Sequence, residues 1–388
     1  MADILSVFDR TGILVPLRDA VHHFAQGVIA PMDASSSQRQ KFPDEAWPQM
    51  GTQGFLGVTA EEIYGGLGLG YLAQCVIAEE ISRASGSIGL SYIAHANLCV
   101  NQIALNGSEE QKQRFLPRLT SGEFVGALAM SEANSGSDVM SMHTRAEPVE
   151  GGYQISGTKL WITNGGNADV ILLYAKTGER LTAFLTTRDM EGFSVGQKIH
   201  KNGMRGSDTY EIRYDNCFVP IENRVGAEGS GGGILMSGLN YERLVLSAGA
   251  LGLAQAALDE ALKYTRDREQ FRKRICDNQA VAFELADMQA NITRERAALY
   301  AYANLLDQLG PQAKQDKDLN GICAGVFLTA ALMATDVANR ALVLHGGNGM
   351  TEEFKIGRIL NDVKLYEIGG GTTNIRRLQV ARGLGCQI

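Results

Sequence analysis

Few side chains in this sequence could do chemistry unaided. The six cysteines (Cys75, Cys99, Cys217, Cys276, Cys323, Cys386) are scattered without a C-x-x-C pair, and no histidine stands at metal-ligand spacing. No metal site is expected, and free thiols in a reducing compartment are the simplest reading. His95 and His345 lie in no nucleophile pattern with Ser or Cys and read as packing residues. Gly65–Gly70 (GGLGLG) is followed by no Lys-Ser/Thr and preceded by no strand, so it reads as a turn rather than a phosphate loop. The segment 128–138 (LAMSEANSGSD) is built from small and polar residues. Such a loop lets backbone approach a neighbour closely, although alone it is an ordinary Gly/Ser turn. Trp161 alone would be core, and Asp267-Arg268-Glu269 alone a solvated helix face. Glu242, between Tyr241 and Arg243, would by default be a solvent-facing helix carboxylate paired with Arg243 or Arg266.

Three regions must position these residues. In residues 1–121 helices are expected: Leu14, Leu17, Val21, Phe24 and Val28 make one apolar stripe, and a second helix covers 70–83. A third opens near Ser108, where Ser-Glu-Glu-Gln resembles a capping pattern. In residues 122–233 the runs 153–155, 170–174, 182–186 and 210–214 are β-branched and aromatic, with Gly, Asn and Asp between them. They predict a compact all-β domain, ending in a Gly-rich linker at 228–233. From Ile234 to the end the helical period returns, with a long first helix and others near 277–309, 322–345 and 375–384. The fold class is therefore α+β, helices, then strands, then helices. It is not a doubly wound sheet, because no dinucleotide fingerprint follows a predicted strand.

Composition fits this picture. The chain has 388 residues, 45% hydrophobic and 20% charged, with a net charge of −7. That length suits two or three packed domains. The acidic balance argues against a nucleic-acid partner. The nearly uncharged run 322–335 is too short to span a bilayer and reads as a buried helix, so no membrane partner is expected. The start, MADILSVFDRTG, has neither a secretory nor a transit-peptide layout, and a cytoplasmic location is expected.

Seven segments, in order, resemble those of the acyl-CoA dehydrogenase family. They are 128–138, 161–164 (WITN), 203–207 (GMRGS), 267–271 (DREQF), 285–288 (LADM), 346–349 (GGNG) and 366–372 (YEIGGGT). The resemblance implies an N-terminal helical domain, a central β-barrel domain and a C-terminal four-helix bundle. It also implies FAD as cofactor. Leu128, Met130, Ser131 and Ser137 correspond to the loop that donates to the flavin and, at Ser137, to the CoA side. Trp161, Ile162 and Thr163 correspond to the strand beside the isoalloxazine, and Thr372 and Asn374 to the C-terminal flavin contacts. Arg268, Phe271, Gln279, Gly346 and Gly347 correspond to residues that reach the FAD of a neighbouring subunit, which implies a dimer at least and a homotetramer as the expected assembly.

The reaction needs a carboxylate that removes an α-proton from a thioester, in an apolar slot that raises its pKa. Most of the family carries this Glu in the C-terminal loop, at a position that is Gly370 here. A smaller branch, which acts on isovaleryl-CoA, carries it on the helix that opens the C-terminal domain, where this chain has Tyr241-Glu242-Arg243. The resemblance thus assigns the base to Glu242, the thioester-polarising N–H to Glu367, and substrate contacts to Leu98, Tyr241, Arg243, Tyr366, Gly369, Gly370 and Gly371. Gly369 and Gly370 are expected to leave volume for a methyl-branched acyl chain. Four departures stand out: Arg272 for Gly, Asn278 for an aromatic, Val343 for Gln, and Ala133 with Ser135 for Pro and Ala. The implied activity is dehydrogenation of a short branched acyl-CoA, with electrons passed to an electron-transfer flavoprotein. The alternatives are the same chemistry on an acyl-carrier-protein thioester, or a protein that binds an acyl thioester or partner without catalysis.

Overall fold

A computed structural model describes residues 4–310, 313 and 318–387. The N-terminal region comprises α1 (Leu5–Phe8), α2 (Leu14–Phe24), α3 (Ala30–Arg39), α4 (Ala46–Thr52), α5 (Gly70–Ala84), α6 (Gly86–Ile93), α7 (Gln102–Asn106) and α8 (Glu109–Thr120). The expected stripe runs along α2 and through the π-helical turn at Ala25–Ile29. The capping box opening α8 is present, Gln111 N–H on Ser108 Oγ and Ser108 N–H on Gln111 Oε1. A second π-helical stretch, Ala94–Asn101, follows α6.

Eight strands follow: β1 (Gly126–Ala129), β2 (Arg145–Val149), β3 (Gly152–Thr163), β4 (Val170–Thr177), β5 (Arg180–Thr187), β6 (Phe193–Lys198), β7 (Thr209–Pro220) and β8 (Arg224–Val225). Their order is β6-β7-β3-β2-β4-β5-β8, with β1 parallel to the first half of β4. The period-2 rule explains why β4 reads as one apolar run. Val170, Leu172 and Tyr174 face the N-terminal helices, while Ile171, Leu173 and Ala175 face the interior of the β-domain, so both faces are covered.

The C-terminal region is α9 (Gly231–Asp267), a two-residue hairpin of β9 (Glu269–Gln270) and β10 (Lys273–Arg274), then α10 (Gln279–Leu309), α11 (Asp318–His345), α12 (Lys355–Ile368) and α13 (Thr373–Gly383). The expected linker is shorter than its glycines suggested, because Gly231–Gly233 form the first turn of α9. α12 is absent from the sequence reading, which saw that stretch only as motifs. α9 and α11 are apolar enough to cross a membrane by length and composition, but α9 is mostly buried and both pack within the bundle.

α9 is notched by glycines where neighbours approach. A Cβ on Gly238 would meet the Gln102 amide at 2.8 Å, one on Gly249 the Tyr366 hydroxyl at 2.3 Å, and one on Gly252 the Glu79 carbonyl oxygen at 2.2 Å. The last is backbone and cannot turn aside. Gly252→Ala is therefore expected to cost about 1–3 kcal/mol, read as a lower urea midpoint. At the hairpin tip Phe271 and Arg272 have φ of 51° and 63°. A two-residue hairpin turn of this hand favours Gly or Asn, and a side chain at Arg272 is strained. Arg272→Gly should stabilise the fold by about 1 kcal/mol in the same measurement.

Candidate active site

Glu242 lies about a third of the way along α9, and the default solvated reading does not hold. Its side chain is only 7% exposed, it forms no ion pair, and its Oε2 has no hydrogen-bond partner among the described residues. Burial pushes its pKa up to about 7, with Arg243 and Arg376 pulling the other way. A carboxylate so placed is a stronger base than one in water, because ionisation gains little solvation.

The surroundings are built from three regions. Along α9, Gly238, Glu242 and Leu246 fall one turn apart and share a face. Gly238 receives the Gln102 amide, whose Nε2 is buried without a partner among the described residues. Tyr241 stacks on Tyr71 of α5, with ring centroids 4.4 Å apart and planes within 4°. The Tyr71 hydroxyl donates to Asn101 Oδ1 at 3.3 Å. Leu98 alone in the stretch Ala94–Asn101 is not fully buried. Arg243 is buried and donates through Nη1 to Asn240 and Asn320, and Asn320 donates to Gln379 of α13 at 2.8 Å.

Arg376 is fully buried and was missed from sequence, where it was one more cation on a terminal helix. Its guanidinium lies 3.5 Å over the Phe327 ring and donates through Nη2 to the Gly369 carbonyl at 2.6 Å. Its Nε and Nη1 have no partner among the described residues. The field beside Glu242 is therefore positive.

Three expectations about the loop after α12 need correction. Glu367 sits inside α12, and its carboxylate accepts from Thr335 at 2.7 Å and Lys364 at 2.8 Å on the outer side of α11 and α12. Its N–H is a helical one, which removes it from the thioester-polarising role. The last such bond runs from Gly369 N–H to Leu365 O at 2.7 Å, so loop N–H groups begin at Gly370. Tyr366 is a packing residue, its hydroxyl against Gly249 two turns of α9 beyond Glu242. Gly370 leaves no empty volume: a Cβ there would meet Leu246 at 2.7 Å and Phe327 at 2.9 Å, and its φ is 64°. Gly369 remains open, since its Cβ would make only ordinary contacts with Leu365. Gly371 turns the chain at φ 87°, and Thr372 caps α13 by accepting from Ile375 N–H at 3.3 Å.

The residues assigned to the flavin gather at β1 and β3. Leu160 N–H donates to the Ser131 carbonyl at 2.9 Å, bringing the loop after Leu128 beside Trp161. A bulge between Lys159 and Ile162 interrupts the pairing of β3 with β7. It turns Trp161 outward at φ 66°, leaving it 58% exposed. A large aromatic in this region is a backbone outlier, the kind retained where a ring platform is wanted. Ile162 points into the β-domain core, so only its backbone can face a ligand, while Thr163 is half-buried. Met130 and Ser131 are half-buried and Ser137 is exposed. Asn374, also exposed, accepts from Arg377 at 2.9 Å. An exposed indole beside a loop of small polar residues fits a flat polar ring system such as the isoalloxazine of FAD.

The remaining cofactor assignments fall elsewhere. Arg268, Phe271, Gln279, Gly346 and Gly347 are exposed at one end of the bundle, where Asn348 Nδ2 donates to the Tyr264 hydroxyl at 3.1 Å. Phe271 is 92% exposed, and Phe283, Val343 and Met350 nearby in the chain are also exposed apolar residues. The histidines are packing residues as expected. His95 accepts from Gly126 N–H at 2.9 Å and its other nitrogen meets Leu119 O at 3.1 Å. His345 stacks on Tyr264 at 4.5 Å. No disulfide links any of the six cysteines.

Comparison with known proteins agrees with this arrangement. Residues 15–123 match the acyl-CoA dehydrogenase N-terminal domain, 127–217 the middle domain and 229–385 the C-terminal domain. Isovaleryl-CoA dehydrogenase, mitochondrial, of Oryza sativa subsp. japonica is 50% identical over 374 residues, covering 95% of this chain and 90% of that protein. The 2-methylacyl-CoA dehydrogenase, mitochondrial, of Solanum tuberosum is 48% identical, covering 95% and 89%. A chain in the solved structure of the electron transferring flavoprotein of Acidaminococcus fermentans superposes with a TM-score of 0.91 at 31% identity, over 97% of this chain and 99% of that one. Three consecutive domain matches and a relative at half identity settle the lineage: the chain belongs to the acyl-CoA dehydrogenase family.

Proposed function

We propose that this enzyme dehydrogenates a short branched-chain acyl-CoA across its α,β bond, with Glu242 as the base. The observation that carries the assignment is a buried carboxylate on α9 whose Oε2 has no partner among the described residues, while the loop position Gly370 is closed by Leu246 and Phe327. Glu242 removes the α-proton, and its raised proton affinity brings it closer to the weak acidity of a thioester α-carbon. The N–H groups of Gly370 and Gly371 lie beyond the last α12 bond and are suited to hold the thioester oxygen as charge develops there. We assign Tyr241, stacked on Tyr71, and Leu98 to the wall of the acyl slot. The isovaleryl- and 2-methylacyl-CoA relatives support a branched acyl chain. When bound between the Met130–Ser137 loop and Trp161, FAD supplies the acceptor for the β-hydride.

We also assign the exposed end carrying Phe271, Val343 and Met350 to a second copy of the chain, whose FAD Arg268, Phe271, Gln279, Gly346 and Gly347 would reach. The likeness to a chain from an electron transferring flavoprotein structure supports such a flavoprotein as electron acceptor.

Anaerobic addition of isovaleryl-CoA to the purified protein should bleach the flavin bands, and Glu242→Gln should slow bleaching by about three orders of magnitude or more while leaving FAD bound. Bleaching that survives the substitution would remove Glu242 as base. In the free enzyme burial pushes the Glu242 carboxyl up to about 7. A folded-state pKa raised this far leaves Glu242 protonated in acid, so kcat/KM should rise with pH, falling about tenfold per unit below pH 7. A flat profile between pH 5.5 and 8 would contradict the assignment.

A further inference from the structure

Beneath the Trp161 bulge lies a lysine that the mechanism above does not use. Lys159 is fully buried, and its ammonium donates to the Met130 carbonyl at 3.0 Å, to Glu132 Oε1 at 2.9 Å and toward Met142 Sδ at 3.4 Å. Glu132, itself buried, accepts in turn from His143 N–H at 2.6 Å, Thr144 N–H at 2.9 Å and the Thr144 hydroxyl at 2.6 Å. Its backbone closes a tight turn with Ser135, at 3.1 and 3.2 Å. Both ends of the segment 130–144 thus converge on one carboxylate, with the ammonium at the centre.

That segment is the loop assigned to the flavin, and the lysine that holds it belongs to the strand assigned to the other side of the same ring. Lys159 is the last paired residue before the second register shift of β3, two before Trp161, and its neighbour Leu160 holds the Ser131 carbonyl. One ion pair therefore sets two things together: the course of Met130–Ser131 and the point where β3 bulges. An ordinary core would place an apolar residue there, since burying an ammonium repays its desolvation only with a full set of acceptors. This one has such a set, and the acceptors are the loop itself.

We propose that Lys159 and Glu132 are a positioning pair for the flavin, fixing the loop Met130–Ser137 against the Trp161–Thr163 strand. The proposal rests on the flavin-dependent reading given above. The test compares wild-type holoenzyme with Lys159→Met, Glu132→Gln and the double variant. The readouts are melting temperature, FAD dissociation constant, the visible circular dichroism of bound flavin and the rate of bleaching by isovaleryl-CoA. Each single variant should melt lower, because one charge is left buried alone. The double variant should regain much of the melting temperature. In all three the dichroism should change and bleaching should slow about tenfold or more, the effect of misplacing a cofactor by a fraction of an ångström to an ångström. Should a single variant fail to fold, the double variant decides. A double variant with wild-type dichroism and bleaching would reduce the pair to a structural role and overturn the proposal. Wild-type protein that binds no FAD would instead overturn the parent reading, and this with it.

Discussion

Everything at the centre of this molecule depends on keeping one carboxylate dry. The role proposed for Glu242 requires that water be excluded, and an unpaired carboxylate in a protein interior is costly to hold. The structure moderates that cost without neutralising the group. Arg243 and Arg376 stand near enough to favour the ion but make no ion pair with it, since Arg243 is engaged by Asn240 and Asn320 and Arg376 by Gly369 and the Phe327 ring. A direct salt bridge would lower the proton affinity of Glu242. The arginines tune the field, and the side chains that restrain them come from α11 and α13 as well as α9.

Dryness also requires that the three regions stay closed on one another, and α12 is the clasp. Its Lys355 caps the carbonyl of Ala84 at the end of α5, at 2.7 Å, and its Arg358 pairs with Asp33 of α3 at 2.8 Å. Its Asp362 accepts the N–H of Met204, from the loop leading into β7, at 2.5 Å, while burial raises that carboxyl to about 7. The loop 203–207 is itself wedged against the N-terminal helices, with Gly206 N–H on Ser87 and Ser207 on Ser91. One helix of the C-terminal bundle therefore grips both other regions, and the slot around Glu242 closes as a by-product of domain packing.

Much of this was legible in the sequence. The α2 stripe, the α8 capping box and the strands β3, β4, β5 and β7 follow from periodicity and turn chemistry, and the order helices–strands–helices came from those alone. The choice of Glu242 came from a paired pattern, a glycine at one position and a glutamate at another, and the structure adds a reason in the closure of Gly370 by Leu246 and Phe327. What was not legible depends on three dimensions. α12 is the exception: Ile356, Ile359, Val363 and Tyr366 recur at helical spacing, a period masked by the 366–372 motif that overlaps its end. Arg376 and Lys159 are cations, and only packing shows that they are inside. Glu367 was misplaced because a motif says which residues are near one another, not whether a given N–H is already spent in a helix. The volume expected at Gly370 is filled by side chains from α9 and α11, distant in the chain.

The glycine notches of α9 have a consequence for when the site comes into being. Three interior glycines lower the intrinsic helix propensity by roughly 1 kcal/mol each, so an isolated α9 would be frayed over the half that carries Glu242. Its order comes from partners far away in the chain: Gln102 meets Gly238, Glu79 meets Gly252, and Tyr366 meets Gly249 from the opposite direction. Such long-separated contacts are slow to form, because their loops must close before the contacts reward the closure. A nascent chain that ends before α12 lacks one of the three surfaces against which α9 is shaped. The dry environment of Glu242 is thus a late product of folding, acquired when both the N-terminal helices and the C-terminal bundle have docked, and a partly folded chain carries it only as an ordinary solvated carboxylate.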